Sequence, residues 1–406
     1  MRRIIQAILF IMLLVQAKSF AQQVQTGSGK PLLKSEDYIS RFGDLSNLVY
    51  RIKTEKDCHV VFFGGSITYN PGWREMVMQY LQEKFPDTRF AFLNAGIPSL
   101  GSLPHAFRIN QDVLSRGRVD LMFLETAVND RANGTNEQTQ QRAMAGIISH
   151  VRKTNPYANI VVMAFVDPDK IVDYNAGKIP QEVQVHQQMA ATWHLPFINL
   201  AKEVTDRIHA AEFTWEGDFK NLHPSAFGQN IYFRSIRQLL SAELVKQAPE
   251  KLKTAFRARH IDRYAYTNGD YLSISNAKSL NNFTLYQSWK PTNHLIGTRP
   301  GFVDVPVLVG EQPSASFELS FTGNAIGLGI VSGPDAGMIE YSIDGKIYPA
   351  LDLFTQWSKN LHLPWYLLLD DELSKGKHVL RLTISNKKNG DADGTACRIV
   401  YFLVNK

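Results

Sequence analysis

Between Cys58 and about Leu240, short apolar runs alternate with stretches whose apolar residues recur at helical spacing. This alternation constrains the fold more than any other feature of the chain. Val60–Phe63, Phe90–Leu93, Leu121–Leu124, Ile160–Phe165 and Phe197–Leu200 read as strands. Trp73, Val77, Tyr80, Leu81 and Phe85 form a helical stripe after the first strand, closed by Pro86. Met144, Ile147, Ile148 and Val151 form another between the third and fourth, with Pro156 as its stop. Strands joined through helices are linked by right-handed crossovers, so they form a parallel sheet covered on both faces. The expectation is an α/β domain with its site at the carboxyl ends of the strands.

Past Lys251 the pattern turns all-β. Ser316–Leu319, Gly337–Ile343, His378–Ile384 and Arg398–Val404 read as strands separated by Gly, Asn and Asp, with no helical stripe of comparable length. A β-sandwich over residues 251–406, accessory to an α/β domain over 22–250, is the simplest account. With 406 residues, 44% hydrophobic and 20% charged, the chain has enough apolar content for two cores.

Residues 1–21 read as a secretory signal peptide. Arg2 and Arg3 precede the apolar run Ile4 to Val15, and Ala17-Lys18-Ser19-Phe20-Ala21 offers a small-residue cleavage site. The run falls short of the roughly 20 residues a membrane span needs, so no stable insertion is expected after cleavage. The expected location is secreted or periplasmic. Loss of Arg2, Arg3 and Lys18 lowers the formal charge from +6 to +3, too weak a surplus to imply a nucleic-acid partner. Cys58 and Cys397 are the only cysteines, which excludes a disulfide-built scaffold. They are either a bridge between distant parts of the chain or, the better reading, two buried thiols.

The first strand runs into Gly64-Gly65-Ser66-Ile67-Thr68. A serine directly after a buried strand and two glycines sits on a tight turn, its hydroxyl exposed at the carboxyl edge of the sheet. The second strand is followed by Asn94-Ala-Gly-Ile-Pro-Ser99 and the third by Glu125-Thr-Ala-Val-Asn-Asp130. Near the end of the domain stands Asn221-Leu-His-Pro-Ser225. Each segment alone is an ordinary turn, cap or surface histidine. Together, in this order and at one sheet edge, they form a constellation.

The ordered set resembles the SGNH hydrolases, the GDSL-type esterase and lipase superfamily, over about residues 45 to 245. The resemblance implies a flavodoxin-like, three-layer sheet, and the signal peptide, this domain and the appended β-sandwich together resemble secreted bacterial carbohydrate esterases that remove acetyl groups from polysaccharides. The resemblance implies Ser66 as nucleophile, His223 as base, and an oxyanion hole made by the Ser66 N–H, the Gly96 N–H and the Asn129 side-chain amide. The chemistry suits these residue types. An imidazole titrating near neutrality activates a serine hydroxyl and then protonates the leaving alcohol. Preorganised donors meet the charge that builds on the carbonyl oxygen. No clustered His, Cys and carboxylate ligand set is visible, and no cofactor or metal is expected.

Two departures stand out. Glycine at 65 replaces the family's usual aspartate, and Lys220 occupies the position three before the histidine where the family's acid stands. Asp218, five before His223, is the favoured orienting acid; Asn221 or a main-chain acceptor are the alternatives. The expected function is a secreted carboxylic ester hydrolase that deacetylates a polysaccharide or oligosaccharide, with Tyr69, Trp73 and Trp215 as possible sugar-stacking groups. The alternative is a catalytically impaired domain in a carbohydrate- or envelope-binding protein, in which the sandwich supplies the function.

Overall fold

The computed structural model describes residues 33–256, 258 and 261–406. The expected signal peptide therefore lies outside the described residues. Six strands form the first sheet: β1 (Ile39–Arg41), β2 (Asp57–Gly64), β3 (Arg89–Asn94), β4 (Leu121–Glu125), β5 (Asn159–Met163) and β6 (Pro196–Ile198). Their order is β1-β6-β5-β4-β2-β3. All pairs are parallel except β1 with β6, which is antiparallel. Without that short edge strand the order is flavodoxin-like. The chain turns back on itself between β2 and β4, so the crevice at their carboxyl ends is the topological switch point where such folds place ligands.

The near-continuous apolar strands follow from burial on both faces. Val60, Phe62, Leu121 and Phe123 face one core, while Val61, Phe63, Met122 and Leu124 face the other. This is the period-two alternation of a pleated strand. Helices Trp73–Lys84 and Ala226–Leu244 cover the first face, and Ser102–Asp112, Glu137–Thr154 and Gln181–Thr192 the second.

The second domain contains β7 (Gly269–Leu272), β8 (Ala277–Asn281), β9 (Phe283–Trp289), β10 (Val305–Gly310), β11 (Ser316–Gly323) and β12 (Ala325–Ser332). It continues through β13 (Met338–Ile343), β14 (Lys346–Asp352), β15 (Leu363–Asp370), β16 (Gly376–Ile384) and β17 (Cys397–Asn405). One sheet runs β15-β12-β17-β10-β9 with β7 also on β17, and the other runs β14-β13-β16-β11-β8. Leu319, Leu328, Leu380, Leu382, Ile399 and Phe402 lie in the core between them. The strand pairings within the two sheets are antiparallel, so this is a β-sandwich. Cys58 and Cys397 are free and buried, one in each domain. Burial raises both thiol pKa values, that of Cys397 to about 12.

The two domains share a core. Ala265, Tyr266 and Leu403 belong to the same apolar cluster as Phe107, Ile147 and Val151. Arg142 on the helix Glu137–Thr154 donates to Asp262 at 2.6 Å and Asp371 at 2.8 Å, and Tyr266 Oη also donates to Asp371 at 2.6 Å. After Lys251 the chain stays on the first domain: Asn47 pairs with the Lys253 backbone, and Ala255 N–H donates to Pro156 O at 2.7 Å.

Candidate active site

Ser66 opens the short helix Ser66–Tyr69 directly after β2. Both preceding glycines are required by close approach. A Cβ on Gly64 would lie 2.4 Å from Thr68 Oγ1 and 2.7 Å from Glu125 O. A Cβ on Gly65 would lie 2.0 Å from Asn129 Nδ2. The carboxamide at the end of β4 thus lies across the serine turn, in the space a side chain at 65 would need. A side chain at 65 would therefore require Asn129 to move.

Asn129 sits on the helix Ala127–Ala132, which follows β4. Glu125, at the strand's end, is buried and accepts from the Val128 N–H at 3.2 Å. Burial pushes its carboxyl up to about 7. Beside it Lys170, fully buried, is paired with Asp167 and lies 3.0 Å from Glu182.

The glycine of the second block is engaged by its own loop. The Gly96 N–H donates to Asn94 Oδ1 at 3.0 Å, closing an Asx turn, while Asn94 Nδ2 donates to Tyr69 O at 3.2 Å. The structure does not present Gly96 as a free donor. A Cβ there would lie 2.5 Å from Tyr69 N, so its smallness serves packing against the serine turn. Gly101, further along the same loop, lies against the third block: its Cβ would be 2.5 Å from Asp130 Oδ1 and 3.2 Å from the Asn129 carbonyl carbon. Among the described residues the Gly101 N–H, the Ser66 N–H and Asn129 Nδ2 have no acceptor in the protein. Between the two glycines Ser99 adopts φ 72°, a left-handed conformation that costs a non-glycine residue roughly 1–2 kcal/mol.

His223 Nε2 lies 2.8 Å from Ser66 Oγ. The histidine precedes the helix Ala226–Leu244, whose N-cap Ser225 accepts from the Gly228 N–H. Neither candidate partner reaches the ring. Asn221 Oδ1 accepts from the His223 backbone N–H at 2.8 Å. Asp218 Oδ2 accepts from Thr214 N–H at 2.8 Å and from Thr214 Oγ1 at 3.0 Å, and these bonds hold its carboxyl below the usual range. The cause is local: Trp215–Phe219 forms a wide π-helical turn that closes on Thr214, and Lys220 leaves it at φ 84°. Among the described residues no carboxylate pairs with the imidazole. Partial desolvation, followed by the Arg299 charge, lowers the His223 pKa from its ordinary value.

Arg299 was not legible from any motif. It comes from the β9–β10 loop of the second domain, with Nε 3.4 Å from Ser99 Oγ. Ile97 of the first domain packs against Trp289, Phe302 and their neighbours in that region. The aromatic expectations divide. Trp73 is fully buried, with edge contacts to Phe62, Phe123 and Phe165, and cannot meet a ligand. Trp215 is half-buried and stacks on Phe219 at 5.0 Å, whereas Tyr69 is exposed.

A serine hydroxyl thus lies on an imidazole at the switch point, beside three unpaired donors. Residues 62–231 match the model of the GDSL-like lipase/acylhydrolase family. The α/β domain is similar to that family over those residues. No curated protein sequence matches the chain. Two solved structures resemble both domains of the chain. One is a two-domain esterase, CEX, active on acetylated mannans; it has 18% identity, a TM-score of 0.73, and covers 92% of this chain and 99% of its own. The other is the same esterase co-crystallised with mannopentaose, with 17% identity, a TM-score of 0.70, and coverage of 93% and 99%. At these identities the likeness establishes a common two-domain fold. Among the described residues no helix is long and apolar enough to cross a membrane.

Proposed function

We propose that the protein is a secreted serine ester hydrolase that removes acetyl groups from an acylated polysaccharide or oligosaccharide. The observation that carries this reading is the 2.8 Å contact between Ser66 Oγ and His223 Nε2 at the switch point of the sheet. His223 takes the hydroxyl proton as Ser66 attacks the ester carbonyl, then returns it to the leaving sugar oxygen. Water, activated by the same imidazole, releases acetate from the acyl-enzyme. The Ser66 N–H, the Gly101 N–H and Asn129 Nδ2 receive the oxyanion, with Gly101 replacing Gly96 in that role.

His223 works without a side-chain acid, so the reactive unit is a Ser–His pair. Its lowered pKa keeps the ring neutral, and therefore basic, to a lower pH than an ordinary histidine. A glycan substrate is supported by the activity of the structurally similar esterase on acetylated mannans. The exposure of His223 and Tyr69 also suits a chain-like substrate better than a buried acyl group. Secretion is supported by the charge and apolar pattern of residues 1–21. Hydrolysis of a short-chain aryl acetate, followed by acetate release from acetylated mannan, xylan and pectin, tests activity and substrate together. The missing acid favours one rival, a binding protein with an impaired site; failure to turn over the aryl acetate would overturn the hydrolase reading, and binding of an unmodified glycan would then support the rival.

A further inference from the structure

Behind the candidate oxyanion donors lies a fully buried carboxylate that the chemistry above does not use. Asp130 follows Asn129 in the chain, and both its oxygens are saturated. Oδ1 accepts from the Ser102 N–H at 2.7 Å and from Ser102 Oγ at 2.9 Å. Oδ2 accepts from Thr126 Oγ1 at 3.3 Å and lies 3.0 Å from His186 Nε2. The Asp130 and His186 side chains are both 0% exposed. Four polar atoms converge on this carboxyl, His186 Nε2 among them. His186 Nδ1 is left without a partner in the interior.

The placement is specific. Ser102 immediately follows Gly101, and Asp130 immediately follows Asn129, so one side chain ties together the residues next to two of the three unpaired donors. Gly101 must be glycine for this approach, since its Cβ would stand 2.5 Å from Asp130 Oδ1. On the other side of the same loop, Arg108 donates to Ala95 O at 2.5 Å, and His105 Nδ1 lies 2.5 Å from Gly101 O. An apolar pair would fill the Asp130–His186 space without the cost of burying a charge. What it would lack is direction. We propose that Asp130, steadied by His186, is a positioning residue that sets the spacing between the Gly101 N–H and the Asn129 amide, and so tunes oxyanion binding.

This inference rests on the hydrolase reading and concerns transition-state stabilisation within it. Asp130→Asn keeps the volume but turns an NH2 group toward two donors. It is expected to lower kcat on an aryl acetate by about 100-fold, the scale of a displacement of about 1 Å at a reacting centre. KM should stay within about threefold, because the interaction acts on the transition state. Phenylboronic acid, which forms a tetrahedral adduct on an active-site serine, should inhibit the variant more weakly by a comparable factor. A purely structural role would instead lower the amount of folded enzyme and leave kcat per active site, titrated with an organophosphonate, unchanged.

If Asp130→Asn does not fold, Ser102→Ala carries the test. It removes one donor to Oδ1 and should lower kcat by about 10-fold with KM unchanged. Wild-type kcat per titrated site in Asp130→Asn, or in Ser102→Ala where it stands in, would overturn the proposal. So would a fall in kcat with undiminished boronate inhibition. If the wild-type chain neither hydrolyses the ester nor is labelled at Ser66, both readings fall; if it does both and the variants match it, this one falls alone.

Discussion

The two halves of the candidate site are held in different ways. On the oxyanion side Gly65, Asn129, Gly101 and Asp130 interlock, so tightly that a Cβ at Gly65 or Gly101 would meet a neighbour within 2.5 Å. On the base side His223 sits on an exposed loop, its backbone capped by Asn221 and its ring bonded to Ser66 alone among the described residues. Donors aimed at developing charge work only if they are already in place, because reorganising them costs what they would contribute. A base that transfers one proton tolerates more freedom. The difference suggests that this chain invests its order in the oxyanion frame and leaves its imidazole lightly tethered.

The largest break in this picture is the nucleophile. Ser66→Ala should reduce turnover by at least about 10,000-fold with the fold intact, since the hydroxyl carries no core packing. A serine-directed organophosphonate read out by mass spectrometry should label Ser66 in the wild type and nothing in the variant. Next comes the frame: Gly65→Ala drives a methyl into the Asn129 amide and should cost about 100-fold in kcat with little change in KM. A steady-state comparison on one aryl acetate checks it.

The base side sharpens the comparison through pH. His223 must be neutral to accept the Ser66 proton, so kcat/KM falls on the acid side as the ring protonates. With its pKa depressed by desolvation and Arg299, the midpoint of that limb should lie below about 6.5. Arg299→Gln removes a cation that opposes the imidazolium, so the pKa rises and the limb moves to higher pH. A pH–rate profile from about pH 4 to 8 for both proteins reads the shift.

Much of this was legible in one dimension. The five parallel strands, and Ser66, Asn129 and His223 at the expected edge, follow from hydrophobic period and position after a strand. What stayed hidden depends on geometry that spacing does not encode. Asn94-Ala95-Gly96 and Leu100-Gly101-Ser102 both offer a glycine after β3, and only the Asx turn on Asn94 shows which N–H is taken. Asp218 stands in plausible reach by sequence, yet the turn closed by Thr214 draws its carboxylate away. Arg299 arrives from another domain. In the sandwich, β12 was missed because Gly327 and Gly329 interrupt its apolar run; they are there for close packing, the Gly327 Cβ position lying 2.5 Å from Leu367 O.

The contrast between the halves is tested most directly by comparing Asn129→Ala with Asp218→Ala in kcat/KM on the same soluble aryl acetate at neutral pH. Asn129→Ala should lose about 100- to 1,000-fold, the range for one oxyanion donor, while Asp218→Ala should stay within about threefold of wild type. A loss of about 100-fold or more in Asp218→Ala, or near-wild-type activity in Asn129→Ala, would contradict the account.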